Sequence, residues 1–320
     1  MITGAAGFIG GALTSLLRQR GITVHPLDDL SVPSLLPSPP GLDRRDVRAL
    51  HSTDLDSVDT IVHLAARKSV PGSFADPSAL SHNLSVDHHI LRTFAGSRAR
   101  RLLMASTCEV YGDRPGPLAE TCQCVPRSPY ATGKTASELL AAVYRPLLNA
   151  YQQIGVVRFF NIFGPAEGAD AVVPAFLDAA AHDGQLTIEG DGTQSRDLTH
   201  IDDAMLMIQR ILDEPNLASV VNLGSGRTIT VHQIAESVLE LTGRGKIVHA
   251  PARTNEIRSF TADMRLFTDT YGHVPALSWE HALAQTYRER ARLRDLVGTP
   301  CDTPAPNGLH ARSSLREVRP

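Results

Sequence analysis

Short apolar runs alternate with stretches of helical periodicity along the first half of the chain. Leu13, Leu16 and Leu17 recur at helical spacing, and Gly21 follows them as a helix stop. Strands that alternate with helices in this way form a parallel sheet with crossover helices, so the pattern predicts an α/β fold. We expect strands near residues 23–27, 60–64, 101–105 and 155–159.

The pattern changes after Gly164-Pro165. The alternation weakens there, and the apolar runs that follow are shorter, at residues 186–188 and 220–223. This change predicts a smaller C-terminal α/β portion that binds the substrate. The last residues hold several prolines and no apolar period, which is typical of a disordered tail. We expect a sheet domain over residues 1–165, the smaller portion over residues 166–297 and the tail over residues 298–320.

The composition narrows the class of ligand. The chain has 320 residues, 42% hydrophobic and 20% charged, enough for one large domain or two joined ones. A formal net charge of -3 gives no general attraction to nucleic acid, so we expect a small-molecule ligand and no nucleic-acid partner. No run of about 18 apolar residues is present, and no basic, apolar leader opens the chain, so we expect no membrane partner.

The cysteines indicate a reducing compartment. Four cysteines are too few for a disulfide framework in a chain of this length. Cys122 and Cys124 lack the second pair of a typical zinc site, so we expect ordinary thiols and no metal. The cytoplasm is the expected location.

A glycine-rich segment lies between the first apolar residues and the first helical pattern. Gly4, Gly7 and Gly10 have the Gly-x-x-Gly-x-x-Gly spacing that lets a backbone approach a pyrophosphate at a helix N-terminus. Asp28 and Asp29 follow at the end of the next predicted strand, where a carboxylate accepts ribose hydroxyls and repels a 2'-phosphate. The combination favours NAD over NADP and a doubly wound, Rossmann-type sheet. The plainer alternative is a glycine turn with surface aspartates.

Two features fit this interpretation less well. Only Met1, Ile2 and Thr3 precede the glycines, which leaves a short first strand. Pro26 falls inside the second predicted strand, where it cannot donate to a ladder. Four prolines between residues 30 and 41 then predict an irregular surface loop.

Two segments carry candidate catalytic chemistry. Tyr130 and Lys134 are four residues apart behind Ser128-Pro129, which predicts a helix cap and first turn, so both side chains share one helix face. An ammonium beside a phenol favours the phenolate, and a nicotinamide cation would add to this effect, so Tyr130 is a candidate base. Upstream, a predicted strand ends in Thr107-Cys108-Glu109, at the edge where parallel sheets hold their sites.

Together these motifs resemble the extended short-chain dehydrogenase/reductase family of NAD-dependent sugar-nucleotide epimerases and dehydratases. The similarity covers about residues 1–290 and includes the glycine loop, the run 63–66, the run 106–112, Tyr130 with Lys134, the run 158–165 and the run 190–197. It implies a Rossmann domain with bound NAD, a nucleotide-sugar substrate and a homodimer. It places NAD against Gly4, Gly7, Phe8, Ile9, Gly10, Asp28, Asp29, Leu64, Ala65, Ala66, Lys68, Tyr130 and Lys134. Asn161, Arg196 and Arg253 are placed on the substrate.

The resemblance also bears on the reaction. In this family 4,6-dehydratases carry Thr-Asp-Glu where this chain has Thr107-Cys108-Glu109, whereas 4-epimerases carry Ser and two non-acidic residues. The hybrid is most similar to the UDP-GlcNAc 5,6-dehydratase of tunicamycin biosynthesis. It implies a transient 4-ketosugar, with Thr107 and Tyr130 on the 4-hydroxyl and Glu109 as the base at C5. Cys108 is a poorer acid than aspartate for the loss of the C6 hydroxyl.

Two other functions stay open at this point. A UDP-sugar 4-epimerase would reduce the other face of the 4-ketosugar and would need no carboxylate beside C5. A non-catalytic dinucleotide sensor would keep only the fold. Glu109 itself has a plainer interpretation as a carboxylate paired at a strand end.

Overall fold

The structure is a computed structural model that describes residues 1–76, 78–252, 257–274 and 276–297. The predicted tail, residues 298–320, lies outside these ranges. None of the helices within them has the length and apolar character needed to cross a membrane. The strands are β1 (Ile2–Thr3), β2 (Pro26–Leu27), β3 (Thr60–His63), β4 (Arg101–Thr107), β5 (Gln153–Phe159), β6 (Asn161–Phe163), β7 (Gln185–Glu189), β8 (Ser195–Arg196), β9 (Leu198–His200), β10 (Val220–Leu223), β11 (Ile229–Thr230) and β12 (Lys246–Ala250). The helices are α1 (Phe8–Gln19), α2 (Val70–Ala75), α3 (Ser78–Ala95), α4 (Pro129–Tyr144), α5 (Val172–Ala181), α6 (Ile201–Asp213), α7 (Val231–Thr242), α8 (Arg265–Tyr271) and α9 (Trp279–Val297).

One parallel sheet forms the centre of the molecule, in the order β10-β5-β4-β3-β1-β2. The chain runs from β1 outward to β2, returns past β1 to β3, and continues through β4 and β5 in the opposite direction. This reversal is the switch point of a doubly wound sheet, where ligands bind at the carboxyl ends of the strands. The predicted Rossmann-type α/β fold is confirmed.

Helices cover both faces of this sheet. On one face α1, α6 and α8 pack against strand residues such as Val62 and Val157. On the other face α3 and α4 pack against the adjacent residues, such as Ile61 and Val156. Because both faces are buried, the central strands are nearly continuous apolar runs, and such runs are visible in the sequence.

Three of the four predicted strands lie where the sequence indicates, as β3, β4 and β5. The fourth, expected over residues 23–27, contains only Pro26 and Leu27. β2 is in register with β1 at two positions, Pro26 with Ile2 and Leu27 with Thr3.

Pro26 is compatible with the hydrogen bonding of β2. β2 is the edge strand of the large sheet, so the N–H that proline lacks is not needed for the ladder. The Pro26 carbonyl accepts a hydrogen bond of 2.9 Å from the backbone N–H of Asp43. Residues 30–41 contain neither helix nor strand, as predicted.

The smaller C-terminal part has its own apolar core. α5, α7 and α9 pack around β7, with Leu186 and Ile188 fully buried. One apolar run that was predicted for this smaller part, Val220–Leu223, belongs to the large sheet instead. It pairs with β5 and forms an edge of that sheet. After α6 the chain therefore returns to the large sheet. The predicted boundary at residue 165 leaves one strand of that sheet, β10, on its C-terminal side. The division into two portions otherwise stays a prediction.

The last described helix is tied to the loop that follows β6. Arg290 on α9 is buried and donates hydrogen bonds to the carbonyl oxygens of Pro165 (2.9 Å) and Glu167 (2.7 Å). Its Nη2 also donates to Oδ2 of Asp178 on α5 (2.7 Å). α9 thereby fixes one wall of the cleft described below.

Candidate active site

The glycine loop joins β1 to α1. α1 begins at Phe8, its cap residue is Gly7, and no side chain caps its N–H groups. Gly4 has a φ of 70°, and a Cβ added there would lie 2.7 Å from the backbone N of Ala65. A Cβ added at Gly10 would lie 2.0 Å from the carbonyl oxygen of Gly4. These positions therefore require glycine, and the loop leaves the positive end of α1 open to a phosphate.

Asp28 and Asp29 lie at the carboxyl end of β2. Oδ2 of Asp28 accepts a hydrogen bond of 3.0 Å from the N–H of Ala6 in the glycine loop, and Oδ1 accepts from the N–H of Leu30 (2.8 Å). Asp29 accepts from the N–H of Ser31 (2.9 Å). Each carboxylate oxygen keeps a second lone pair, and both residues line the cleft, so the geometry fits a pair of ribose hydroxyls.

One continuous cleft of about 1170 Å³ opens along the carboxyl ends of the strands. It holds most of the residues that the sequence singled out for chemistry. Arg196 is not among its lining residues, and Arg253 lies outside the described residues. The predicted residues that line the cleft are Gly4, Gly7, Phe8, Ile9, Gly10, Asp28, Asp29, Leu64, Ala65, Ala66, Lys68, Thr107, Cys108, Glu109, Tyr130, Lys134 and Asn161.

The predicted cap and first turn of the catalytic helix are confirmed. α4 begins at Pro129, and Oγ of Ser128 accepts a hydrogen bond of 3.1 Å from the N–H of Ala131. The N–H of Tyr130 donates to Oγ of the buried Ser73 on α2 (3.2 Å). Tyr130 is thus held by two elements at the start of α4.

The environment of the tyrosine differs from the expected one. Lys134 is buried, and its Nζ lies 3.2 Å from Oδ2 of Asp87 on α3. Burial, together with the negative charges of Asp87 and Glu109, raises the pKa of Tyr130 above its ordinary value. The sequence analysis did not predict the contact between Lys134 and Asp87, and the effect of Lys134 on the phenol stays a prediction.

Asp87 belongs to a buried polar network that the sequence analysis missed. Its Oδ1 lies 2.9 Å from Nε2 of His63, whose Nδ1 lies 2.7 Å from Oγ1 of Thr3. Ser137 donates a hydrogen bond of 2.6 Å to Oδ2 of Asp87. Burial alone would raise the pKa of Asp87, but Lys134 and His63 lower it more strongly. The sequence held a signal, because Asp87 lies on the same helix face as apolar Ile90.

Glu109 lies just beyond the carboxyl end of β4. Its N–H donates to Oγ1 of Thr107 (3.2 Å), which begins a short 3-10 helix and fixes the backbone of both residues. Burial raises the pKa of Glu109, and the positive charge of Arg196 acts against this shift. A carboxyl group with a raised pKa in a cleft has the properties of a general acid or base.

Cys108 lies between these two residues but faces a different environment. It is 2% exposed and packs in an apolar cluster with Val110, Phe160 and Phe260. Burial, assisted by the nearby charge of Glu109, raises the pKa of the thiol well above its ordinary value. The thiol therefore keeps its proton and is a weak acid.

The residues predicted to contact the substrate have different surroundings in the structure. Asn161 begins β6, and its Oδ1 is buried without a hydrogen-bond partner among the described residues, so it is available to a ligand. Arg196 donates to the carbonyl oxygens of Ser195 and Ile257 (both 2.9 Å), and its guanidinium lies 5.8 Å from the ring centre of Phe260. A phosphate contact for Arg196 stays a prediction.

A buried ion pair connects α4 to the sheet. Nη2 of Arg158 on β5 lies 2.6 Å from Oε2 of Glu138, and Nε donates to the same carboxylate. Both side chains are almost fully buried. This pair joins the middle of α4 to β5.

Glu167 is a second acidic residue that the sequence analysis missed. It follows β6 and lines the cleft, and its Oε2 is buried without a hydrogen-bond partner among the described residues. Burial raises the pKa of Glu167 to about 8, although Lys68 acts in the opposite direction. Within the described ranges no group of three or more His, Cys, Asp or Glu side chains could hold a metal ion.

Comparison with known proteins gives a consistent result. A family profile described as the NAD dependent epimerase/dehydratase family matches residues 1–224. Among curated proteins, a protein of Bacillus subtilis (strain 168) named as the uncharacterized UDP-glucose epimerase YtcB is 31% identical over 271 residues. That alignment covers 78% of this chain and 84% of the relative.

Solved structures extend the similarity to most of the chain. The structure of TunA, described as an NAD dependent NDP-hexosamine 5,6-dehydratase involved in tunicamycin biosynthesis, has a TM-score of 0.86 and 35% identity. It covers 91% of this chain, which covers 97% of TunA. MoeE5 in complex with UDP-glucuronic acid and NAD has a TM-score of 0.83 and 30% identity, with coverages of 91% and 98%. The resemblance expected from the sequence motifs is confirmed.

Proposed function

This chain belongs to the NAD dependent epimerase/dehydratase family, and we propose that it removes water across C5 and C6 of UDP-GlcNAc or a closely related nucleotide sugar. The product is a 5,6-unsaturated sugar with an intact C4 alcohol. The similarity to TunA supports this reaction, and so does the Thr-Cys-Glu run at the end of β4.

One observation carries the proposal. Glu109 lines the same cleft as Thr107 and Tyr130, at the carboxyl ends of the parallel strands. A 4-epimerase needs no carboxylate there, whereas an elimination needs a proton acceptor beside C5. Burial raises the pKa of Glu109, which makes this carboxylate a stronger base than an ordinary one.

The first step removes a proton from the sugar 4-hydroxyl. Thr107 and Tyr130 hold this hydroxyl, and the phenolate of Tyr130 takes its proton. When bound, NAD would be held by the glycine loop and the Asp28 carboxylate and would supply the reversible oxidation at C4. The resulting 4-ketone acidifies the hydrogen at C5.

The second step breaks the C5–H and C6–O bonds. Glu109 takes the C5 proton, and the C6 hydroxyl leaves as water. Cys108 is a poor donor for this leaving group, because its thiol is buried and its pKa is raised. We therefore assign the proton on the leaving water to Glu109 or to a water molecule that Glu109 orients. Asn161 contacts the sugar or its phosphate, and Arg196 and Arg253 bind the pyrophosphate.

Incubation with UDP-GlcNAc in deuterated water tests the reaction. We expect a product that has lost the mass of water and substrate that has gained deuterium at C5. Glu109→Gln should keep nucleotide binding and lose both signals. Formation of UDP-GalNAc without exchange at C5 would replace the proposal with a 4-epimerase. Turnover that persists in Tyr130→Phe would remove the tyrosine from the mechanism, and a total lack of turnover in the wild type would favour a sensor.

We further propose that the protein forms a homodimer through α4. Leu139 and Val143 lie one turn apart on this helix and are 65% and 60% exposed, and Leu147 in the turn that follows is 70% exposed. An apolar stripe of this kind on a helix surface is typical of an interface. Light scattering should give the mass of two chains for the wild type and of one chain for Val143→Glu. A wild-type monomer would contradict the proposal.

A further inference from the structure

Glu167 is a buried carboxylate that the proposed reaction does not use. It is 6% exposed, and it lines the cleft in the loop between β6 and α5. Its Oε2 has no hydrogen-bond partner among the described residues. A buried oxygen of this kind costs free energy, so it indicates a partner that arrives with the ligand. The other buried carboxylates of the described ranges each accept at least one hydrogen bond: Asp87, Glu138, Asp197 and Asp203.

The backbone holds Glu167 in place. Its N–H donates to the carbonyl oxygen of Gly164 (3.2 Å), and its own carbonyl oxygen accepts a hydrogen bond of 2.7 Å from Nη1 of Arg290. Arg290 on α9 is itself paired with Asp178 on α5. Because the loop is attached to both helices through this arginine, the place of Glu167 in the wall of the cleft is set before a ligand binds.

Charged neighbours do not replace the missing hydrogen bond. Burial raises the pKa of Glu167 to about 8, and the negative charge of Asp170 acts in the same direction. Lys68, from the loop after β3, and Arg290 act against this shift without cancelling it. A hydrogen-bond donor in direct contact with the carboxyl group would favour its charged form. Glu167 is therefore suited to a donor that the ligand supplies.

The position of Glu167 in the fold favours the sugar over the cofactor. The glycine loop and Asp28, which are predicted to bind NAD, follow β1 and β2. β5, which leads into β6 and Glu167, lies on the opposite side of β1 from β2. Asn161 on the same section of chain also has a buried oxygen without a partner among the described residues. Two such acceptors suit a ligand rich in donors, and a sugar offers hydroxyl and amide N–H groups.

We propose that Glu167 is a further substrate-binding residue, whose Oε2 accepts a hydrogen bond from a hydroxyl or an amide N–H of the sugar. The inference rests on the proposed function for a nucleotide sugar as the ligand. It adds a sugar contact from the loop that α9 holds. This contact increases the affinity for the sugar part of the substrate and leaves the affinity for UDP unchanged.

Calorimetry with three ligands tests this contact. Glu167→Leu, which removes both carboxyl oxygens, is compared with its parent in a Tyr130→Phe background that suppresses turnover. We expect Glu167→Leu to weaken UDP-GlcNAc binding to NAD-loaded protein at least about tenfold, through the loss of a hydrogen bond to a charged group. The affinities for UDP, and for NAD in protein freed of nucleotide, should change by less than about twofold, because neither ligand makes this bond.

Other outcomes of the same titrations overturn the inference. Full affinity for UDP-GlcNAc in Glu167→Leu would show that the sugar does not use Oε2. Equal losses for all three ligands would assign Glu167 to the structure of the cleft. A loss confined to NAD would assign the contact to the cofactor.

Two further variants separate the contact from charge and folding. Asp170→Asn changes an exposed carboxylate further along the same loop and should bind UDP-GlcNAc as its parent does. A loss equal to that of Glu167→Leu would assign the effect to the charge of the loop and reject the contact. Glu167→Gln keeps an acceptor oxygen without the charge, so it should lose less affinity than Glu167→Leu. If Glu167→Leu does not fold, Glu167→Gln decides, and a loss below about threefold for UDP-GlcNAc overturns the inference.

Binding and reaction are measured separately. A loss of affinity specific to UDP-GlcNAc, together with no deuterium exchange at C5 in the enzyme that keeps Tyr130, would retain this inference and reject the proposed elimination. Exchange at C5 combined with equal losses for all three ligands would do the opposite.

Discussion

Replacement of Glu167 by glutamine should stabilise the protein at alkaline pH and leave it unchanged at acidic pH. Burial raises the pKa of this carboxyl from an ordinary 4.5 to about 8. Between these values the folded protein holds a proton that the unfolded chain has lost, so the free energy of unfolding falls as the pH rises through this window. At about 1.36 kcal/mol per pKa unit, the shift corresponds to at most about 5 kcal/mol.

Urea unfolding of wild type and Glu167→Gln, in protein without added nucleotide, measures this difference. Between about pH 5 and about pH 8.5 the stability of the wild type relative to the variant should fall by about 4 kcal/mol. Glu214 gives a matched control, since its side chain is exposed and stays in water on folding. Glu214→Gln should run parallel to the wild type.

Parallel curves for Glu167→Gln and the wild type would refute the reasoning. They would mean that the carboxyl group finds a hydrogen-bond partner or an ion pair with Lys68 in solution, and that its buried Oε2 is not unsatisfied.

Three other substitutions have expected outcomes. Gly10→Ala should weaken NAD binding at least tenfold by calorimetry, because its Cβ would lie 2.0 Å from a backbone oxygen. In the control Gly11→Ala the one contact of the Cβ under 3 Å is with the end of a leucine side chain. Glu138→Gln leaves the buried guanidinium of Arg158 without its charge partner and should cost about 3–5 kcal/mol in urea unfolding. Ser128→Ala removes the cap of α4 and should cost about 1 kcal/mol by the same measurement. Full stability in either of the last two variants would contradict the contacts described for α4.

Local sequence patterns were sufficient to predict the sheet domain. The strands β3, β4 and β5 are buried on both faces, so their positions are continuous apolar runs, and the glycine spacing indicates the turn that joins β1 to α1. β2 is shorter than its apolar run predicts, because a strand is defined by its pairing with a neighbour, here β1, and no single run of sequence displays that pairing. The placement of β10 beside β5 is long-range in the same way.

The candidate site was predicted less completely than the sheet. Tyr130, Lys134 and Glu109 line one cleft, as their motifs indicated. The partner of Lys134 could not be inferred from the spacing, because Asp87 comes from another helix and meets Lys134 only after α3 and α4 pack together. The charge state of a catalytic group depends on such neighbours, whereas its identity can be recognised from a short run of sequence.

The attachment of α9 through Arg290 affects how the protein can be shortened or fused. A truncation that removes α9 would release the loop carrying Glu167, so a loss of activity in such a fragment would not show that α9 touches substrate. Fusion partners are better joined through a linker placed after residue 297. A rigid domain inserted before Trp279 would displace α9 and so distort the wall of the cleft that α9 fixes.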